Sequence, residues 1–379
     1  MASEAVPRQN CFDFIRLIAA VSVVIAHGVR HLNAPFLGIP AKADVLHEGV
    51  EGVRVFFVLS GLLVFMSALK CLENGRPIRS FFANRFLRVA PAIYMYAIVS
   101  TVLLVAVGAL TVSQIGSKTY LAWFAGNLVL YPLYFPPEHR DIGVGVLNGS
   151  LWTIPVEVTF YAVVPLLALL YHRGRERMMW GILITGVLVS TVFHWQLQVT
   201  HPEWFRDVGG VDPPMWVKVF VVSLPPWLLW FTLGIGWYRN WARAPKGIGW
   251  FLIALASYIL LSFVLFEPLS ALGPMRELLY GLPLSYATVW FGFQGPAVLR
   301  DLSKIGDLSY GVYVWHMVVI NLMLYLNFAN KASAGNPALV PAAVAVTLVL
   351  AWLSWWLVER PALRRKPYSS RGEPATPQP

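Results

Sequence analysis

The first apolar stretch of the chain, residues 11–31, carries three side chains that can do chemistry, namely Asp13, Arg16 and His27. A charge in hydrocarbon costs about 2.5–3.5 kcal/mol on insertion scales, so a chain keeps such residues for a task. Arg16 and His27 are 11 residues apart, which places them on one helix face roughly 16 Å apart along the axis. A cation near one membrane surface and a titratable imidazole deeper on the same face predict catalysis or transport inside the bilayer.

Two arginines that begin a later apolar stretch suggest a phosphate site. Arg85 and Arg88 are three residues apart, so they share a helix face. The planar guanidinium pairs phosphate oxygens bidentately. Taken alone, however, the pair is explained more simply as anchoring at the cytoplasmic surface.

Four more candidate residues lie inside predicted spans. Glu157 is about two turns into the apolar segment 151–171, where a carboxylate can orient the His27 imidazole, accept from a sugar hydroxyl or only bridge another span. Tyr310 and Tyr313 fit an interfacial aromatic belt. His316 follows in a Tyr-x-x-Tyr-x-x-His array, and packing is favoured there over direct catalysis.

The composition indicates that these residues lie on helices within a membrane. The chain has 379 residues, of which 57% are hydrophobic and 13% charged, with mean hydropathy +0.61, whereas soluble proteins are about a quarter charged. Its net charge of +10 comes from short basic loops, which indicate membrane orientation and not nucleic-acid binding. Two cysteines, Cys11 and Cys71, suggest neither a disulfide scaffold nor a metal site.

Eleven apolar segments follow one another along the sequence. They lie at roughly 11–31, 52–70, 86–110, 119–136, 151–171, 178–198, 216–238, 248–266, 276–293, 305–327 and 338–358. All basic loops fall on the cytoplasmic side if 119–136 does not cross. That segment is short, is broken by Gly126 and Asn127, and ends in prolines.

The predicted fold is therefore an all-α, polytopic integral membrane protein with about ten transmembrane helices, one re-entrant or interfacial segment and both termini in the cytoplasm. The predicted organisation is a cytoplasmic tail at 1–10, a transmembrane domain at 11–361 and a disordered cytoplasmic tail at 362–379.

Together these segments resemble the acyltransferase-3 family, whose members are membrane-bound O-acyltransferases of bacterial saccharides and some macrolides. The resemblance runs from about Phe12 to Pro361 and rests on the order of several short motifs. These are Asp13-x-x-Arg16 with Arg16-x10-His27, Val53–Gly61, Arg85-x-x-Arg88-x-x-Pro91, Leu151-Trp152-Thr153-x-x-x-Glu157-x-x-Phe160-Tyr161, Leu308-Ser309-Tyr310-x-x-Tyr313-x-x-His316 and Glu359-Arg360-Pro361. Arg54 departs from the pattern, since many members have an aspartate or a small residue there, and this puts any role of that acid in doubt.

The resemblance implies transfer of acetyl or another short acyl group from acyl-coenzyme A, a co-substrate and not a bound cofactor, to a hydroxyl of a saccharide, glycolipid or macrolide. We expect His27 and Glu157 to be catalytic, with His27 as general base, and Arg16, Arg85 and Arg88 to bind the donor. The supporting residues expected from the same motifs are Asp13, Ser60, Trp152, Thr153, Tyr161, Tyr310, Tyr313 and His316. The expected location is the bacterial inner membrane.

Two other classes of function compete with this prediction. A transporter or flippase of lipid-linked sugars would use the buried charges as coupling sites, but no internal repeat is evident in the sequence. A structural membrane scaffold leaves Arg16, His27 and Glu157 unexplained.

Overall fold

The computed structural model describes residues 10–38, 49–204, 213–300, 306–328 and 335–366. Within these ranges the regular structure is helical, without a β-strand. The predicted tails at 1–10 and 362–379 fall largely outside the described residues.

Eleven helices of ten or more residues account for most of the described chain. In order they are α1 (Phe12–His31), α2 (Val50–Glu73), α3 (Ile78–Ala106), α4 (Lys118–Leu128), α5 (Thr153–His172), α6 (Glu176–Thr200), α7 (Leu224–Asn240), α8 (Ile248–Ile259), α9 (Glu277–Gln294), α10 (Ser309–Tyr325) and α11 (Leu339–Ser354). Shorter helical turns lie between them, and one of these, Gly149–Trp152, leads directly into α5.

Seven helical stretches in the described ranges are long and apolar enough to cross a membrane. They are Phe12–His31, Val50–Glu73, Ile78–Ala106, Gly149–His172, Glu176–Thr200, Met215–Arg243 and Leu339–Arg364. Each corresponds to one of the apolar segments predicted from the sequence. The all-α, multi-pass membrane class is therefore confirmed.

The predicted number of ten spans is not confirmed. The three remaining candidates are Ile248–Val264, a shorter apolar helix, and the helices α9 and α10, of 18 and 17 residues. At 1.5 Å per residue these helices reach about 26 Å, slightly less than a hydrocarbon core of about 30 Å. In the segment expected not to cross, α4 has 11 residues and spans only about 16 Å.

Helix α3 begins earlier than the sequence predicted. Its first residue is Ile78, whereas the predicted span starts at residue 86. Phe81 is buried and extends the apolar side of the helix toward its N-terminus, and arginine is a good helix former. Arg85, one residue before the predicted span, therefore lies on the spanning helix together with Arg88.

The chain divides into two compact units. Unit 1 comprises residues 1–15, 54–78 and 155–300. In it α2 and α7 approach so closely that a Cβ on Gly61 would lie 2.2 Å from the Phe231 carbonyl oxygen, and one on Gly234 would lie 2.1 Å from that of Val58. Small residues at such crossings let helix backbones touch in a membrane. This crossing fixes the α2 backbone beside Ser60.

Unit 2 comprises residues 16–53, 79–154 and 301–379. A buried apolar cluster joins α1, α10 and α11, with Val29, Leu32, Ile320 and Val340 among its members. Packing of this kind holds α1 and α10 in a fixed register. The two helices carry His27 and His316, respectively, on turns adjoining the cluster.

Candidate active site

Two histidines of unit 2 converge on one serine hydroxyl. Ser150 Oγ lies 3.1 Å from His27 Nε2 and 3.2 Å from His316 Nε2. The two imidazole rings are 5.3 Å apart between centroids. His316 and Ser150 are buried, whereas His27 is partly exposed.

The backbone of Ser150 is held on both sides. Its N–H donates to Asn148 Oδ1 at 3.0 Å, and the amide of Asn148 donates to the Val314 carbonyl at 2.8 Å. Tyr313 Oη donates to the Ser150 carbonyl at 2.5 Å, and Thr153 Oγ1 lies 2.8 Å from the same phenol oxygen. Since the phenol hydrogen is committed to the carbonyl, Thr153 is the donor of that second bond. The expected supporting residues Thr153, Tyr313 and His316 thus lie together with His27.

Two of the predicted donor-binding arginines meet at an aspartate. Asp307, just before α10, forms an ion pair with Arg88 and lies 3.6 Å from Arg16. Ser309 Oγ also donates to this carboxylate at 2.5 Å. The continuous helix α1 places Arg16 about 16 Å from His27 along its axis. Helix α1 of unit 2 therefore carries Arg16 at the charged end of the unit and His27 at the pair of imidazoles.

A further cation belongs to the charged end. Burial, followed by the positive charges of Arg85 and Arg88, lowers the pKa of Lys366 from 10.5 to about 8. These four cations, Arg16, Arg85, Arg88 and Lys366, and the carboxylate of Asp307 are called the cationic cluster below. Its four cations outnumber the carboxylates of Asp307 and of the neighbouring Glu359, so the site is positive, as an anion site requires.

The supporting residue Tyr310 links two helices next to the cationic cluster. Its hydroxyl donates to the Val89 carbonyl at 3.0 Å, which joins α10 to α3 beside Arg88. The Val89 carbonyl lies one residue before Ala90 and two before Pro91, so this bond secures α3 near its interior proline.

Glu157, the other predicted catalytic residue, belongs to unit 1. Its Oε1 accepts from Ser60 Oγ at 3.2 Å and from the hydroxyl of Tyr161. The expected supporting residues Ser60 and Tyr161 thus lie against the carboxylate. The partnership of Glu157 with His27, which belongs to the other unit, stays a prediction.

Arg54, which departs from the family pattern, has an acidic partner elsewhere in unit 1. It is 7% exposed and bonds Glu277 Oε1 at 2.7 Å. The second oxygen of Glu277 accepts from Trp230 Nε1 at 2.8 Å, and the guanidinium also lies over the ring of Trp230. A buried charge of this kind must be paired, and the α9 carboxylate pairs it.

The two remaining site candidates are half-buried. Asp13 lies in the first turn of α1, within unit 1. Trp152 ends the turn Gly149–Trp152, two residues after Ser150, in unit 2.

The sequence did not predict four residues of the site, namely Ser150, Asn148, Asp307 and Lys366. A signal existed for the first two, since Asn148 and Ser150 are polar residues at the start of an apolar segment. Asp307 and Lys366 gave no signal in the sequence, because the arginines they accompany lie on distant parts of the chain.

A separate polar cluster occupies the loop between α4 and α5. Glu138 accepts from Ser117 at 2.5 Å and from Thr119 at 2.6 Å. The neighbouring His139 packs edge-on against Tyr120 and Trp123. Burial lowers its pKa from 6.5 to about 4, so the ring is neutral at physiological pH.

Comparison with known proteins gives a family match over nearly the whole chain. Residues 9–356 match the family described as the acyltransferase domain, Acyl_transf_3. Nodulation protein 10 of Rhizobium leguminosarum bv. viciae is 29% identical over 94% of this chain and 94% of its own length. The exopolysaccharide production protein ExoZ of Rhizobium meliloti is 26% identical over 84% and 90%, respectively.

A third relative has a name that states a reaction. The peptidoglycan O-acetyltransferase OatA of Listeria monocytogenes is 25% identical over 92% of this chain and 55% of its own length. No solved structure gives a significant match. The transporter alternative finds no support in these matches. Together with the spanning helices, they show that the chain belongs to the acyltransferase-3 family and is a membrane-bound O-acyltransferase.

Proposed function

We propose that the protein transfers an acetyl or other short acyl group from cytoplasmic acyl-coenzyme A to a hydroxyl of a saccharide or glycolipid. The observation that carries this proposal is the arrangement on α1, where the cationic cluster and the His27 imidazole are about 16 Å apart. That distance is comparable to the distance between the phosphates of coenzyme A and its thioester.

The cationic cluster is the proposed donor site. Arginine forks match phosphate oxygens, and the Asp307 carboxylate holds Arg16 and Arg88 in place. Coenzyme A carries several phosphates and is a cytosolic molecule. We therefore place this end of unit 2, and both chain termini, on the cytoplasmic face of the bacterial inner membrane.

His27 is the proposed general base for the acceptor. A neutral imidazole can take the proton of a hydroxyl as that oxygen attacks an acyl carbonyl. Glu157 is the second proposed catalytic residue, and Ser60 and Tyr161 orient its carboxylate. In this role Glu157 receives a hydrogen bond from the acceptor or orients the base.

The proposed acceptor class follows from the names of the relatives. Peptidoglycan in OatA and exopolysaccharide in ExoZ are both saccharides. A macrolide acceptor, found elsewhere in the family, is the second candidate. Saccharides and macrolides both carry hydroxyl groups, which the proposed chemistry requires.

Purified protein in lipid nanodiscs tests the proposal. Acetyl-coenzyme A labelled with ¹⁴C is mixed with a saccharide extract of the producing cells, and free coenzyme A and labelled saccharide are measured together. We expect both products with the wild type and with the control His194→Ala, which changes a histidine of α6 bonded to Gln198. Neither product above the level of empty nanodiscs would refute the proposal.

A further inference from the structure

Ser150 lies between the two histidines of unit 2, and the proposed function assigns it no role. Its side chain is 6% exposed and its hydroxyl touches two imidazole nitrogens, at 3.1 and 3.2 Å. A buried hydroxyl needs only one partner to be satisfied. Ser150 has two imidazole nitrogens at hydrogen-bond distance, one more than it needs. A base beside a serine hydroxyl is typical of a nucleophilic serine.

The hydrogen-bond directions around Ser150 follow from one carbonyl. His316 Nδ1 lies 2.7 Å from the Tyr313 carbonyl oxygen, which can only accept, so Nδ1 carries the hydrogen. In the neutral ring Nε2 then has a free lone pair and accepts the hydroxyl hydrogen of Ser150. Because that hydroxyl has only one hydrogen, His27 Nε2 donates to the serine oxygen.

The result is a directed chain of hydrogen bonds. It runs from His27 Nε2–H to Ser150 Oγ–H, on to His316 Nε2, and from His316 Nδ1–H to the Tyr313 carbonyl. The third group orients the base, as the third member of a catalytic triad does. Ser150 itself cannot shift, because Asn148 and Tyr313 hold its backbone.

We propose that Ser150 Oγ is the nucleophile that carries the acyl group as an ester between donor and acceptor. This inference rests on the proposed function, since it takes an acyl thioester as donor and a hydroxyl as acceptor. It assigns His316 as the base for the first half of the reaction and leaves His27 as the base for the second.

In the first half, Ser150 Oγ attacks the thioester carbonyl while its proton moves to His316 Nε2. The carbon–sulfur bond breaks, and the departing thiolate takes that proton and leaves as free coenzyme A thiol. In the second half, the acceptor oxygen attacks the serine ester and gives its proton to His27 Nδ1, displacing the 3.4 Å contact of that nitrogen with His31 Nε2. The ester bond to Ser150 breaks, and the serine oxygen regains a proton from His27 Nε2. His27 is then left with its hydrogen on Nδ1, and exchange of one proton with water returns the hydrogen to Nε2. Both transferred protons and the acyl group are accounted for.

An isotope-exchange experiment detects such an intermediate without any acceptor. Nanodisc-embedded protein is incubated with unlabelled acetyl-coenzyme A and tritiated coenzyme A, and label entering acetyl-coenzyme A is measured. Without an acceptor, label can enter acetyl-coenzyme A only if an acyl-enzyme forms and then reacts back with labelled coenzyme A. We therefore expect exchange in the wild type. Peptide mass spectrometry after acid quench should locate the acetyl group on Ser150.

Three variants sharpen the test. Ser150→Ala should lose exchange by at least a hundredfold. Ser150→Cys should retain a covalent acyl group as a hydroxylamine-sensitive thioester. Ser190→Ala, which changes a buried serine of α6 whose hydroxyl donates to the Val187 carbonyl, should exchange like the wild type.

The outcomes separate this inference from the proposed function. A wild type that acetylates saccharide but shows no exchange and no acetyl group on Ser150 overturns the inference and leaves the proposed function standing. An acetyl group found on His27, or full transfer by Ser150→Ala, overturns it as well. A wild type that releases no coenzyme A even with saccharide present refutes the proposed function itself.

Discussion

The carboxylate of Asp307 lies 3.6 Å from the guanidinium of Arg16 and also pairs with Arg88. One acidic residue thus holds two arginines from different helices of unit 2. An anion that reaches this site meets guanidiniums already fixed in position, which lowers the entropy lost on binding.

Arg16, Arg85 and Arg88 should govern donor affinity. Each Arg→Ala variant is expected to raise KM for acetyl-coenzyme A about tenfold or more, because a charge-assisted hydrogen bond contributes about 1.5–3 kcal/mol. KM for the acceptor should change much less. Arg→Lys should rescue only partly, since the ammonium lacks the bidentate fork.

The matched control is Arg173→Ala, which removes an exposed arginine between α5 and α6. Steady-state kinetics with both substrates varied measure the effect. Unchanged donor KM in all three cluster variants would mean that the arginines only set membrane topology.

Lys366 should make donor binding depend on pH. Burial and the charges of Arg85 and Arg88 lower its pKa to about 8, so the side chain is charged at pH 7 and largely neutral at pH 9. We expect coenzyme A to bind about fivefold more weakly at pH 9, the equivalent of about 1 kcal/mol. Isothermal titration calorimetry measures both dissociation constants. Lys366→Arg stays charged and should show little change, whereas an equal pH effect in that variant would exclude Lys366 as the cause.

His139 should make stability depend on pH. Burial lowers its pKa to about 4 in the folded state, against an ordinary value of 6.5. Between these values the unfolded chain binds more protons than the folded one, so stability falls as pH decreases from about 6.5 toward 4. In His139→Phe this contribution is absent. Its Tm should fall less than that of the wild type between pH 7 and pH 5, and equal decreases would contradict the assignment.

The orientation of the chain can be tested by cysteine labelling. A cysteine at Gly174 should resist a membrane-impermeant thiol reagent in intact cells, and one at Asp141 should react, if α4 does not cross the membrane. Both substitutions are made in a background without Cys11 and Cys71. Labelling at Gly174 would show that the segment 119–136 crosses after all. The predicted partnership of Glu157 with His27 would then have to be withdrawn.

The sequence predicted the spanning helices well, because runs of apolar residues are a local property. The span count was less certain. Helices such as α10, with 17 residues, are close to the length a bilayer requires, so composition alone does not decide whether they cross.

The site was only partly predictable for a different reason. His27 and the arginines stand out as polar residues in apolar segments. Ser150 becomes conspicuous only through partners 123 and 166 residues away, and the pairing of Asp307 with Arg88 spans 219 residues. Likewise, Arg54 departs from the family pattern in the sequence, and its ion-pair partner Glu277 lies 223 residues away. Single-sequence patterns carry no information about such contacts.

The most direct test of the central claim is acyl transfer by His27→Gln in nanodiscs, with ¹⁴C-labelled acetyl-coenzyme A and the saccharide extract. Glutamine keeps a hydrogen bond to Ser150 but cannot take a proton near neutral pH, so labelled saccharide should decrease at least a hundredfold. His27→Ala should be equally inactive, while both variants remain folded with a Tm near that of the wild type. Transfer at close to the wild-type rate by His27→Gln would contradict the account, because the reaction would then need no proton acceptor at this position.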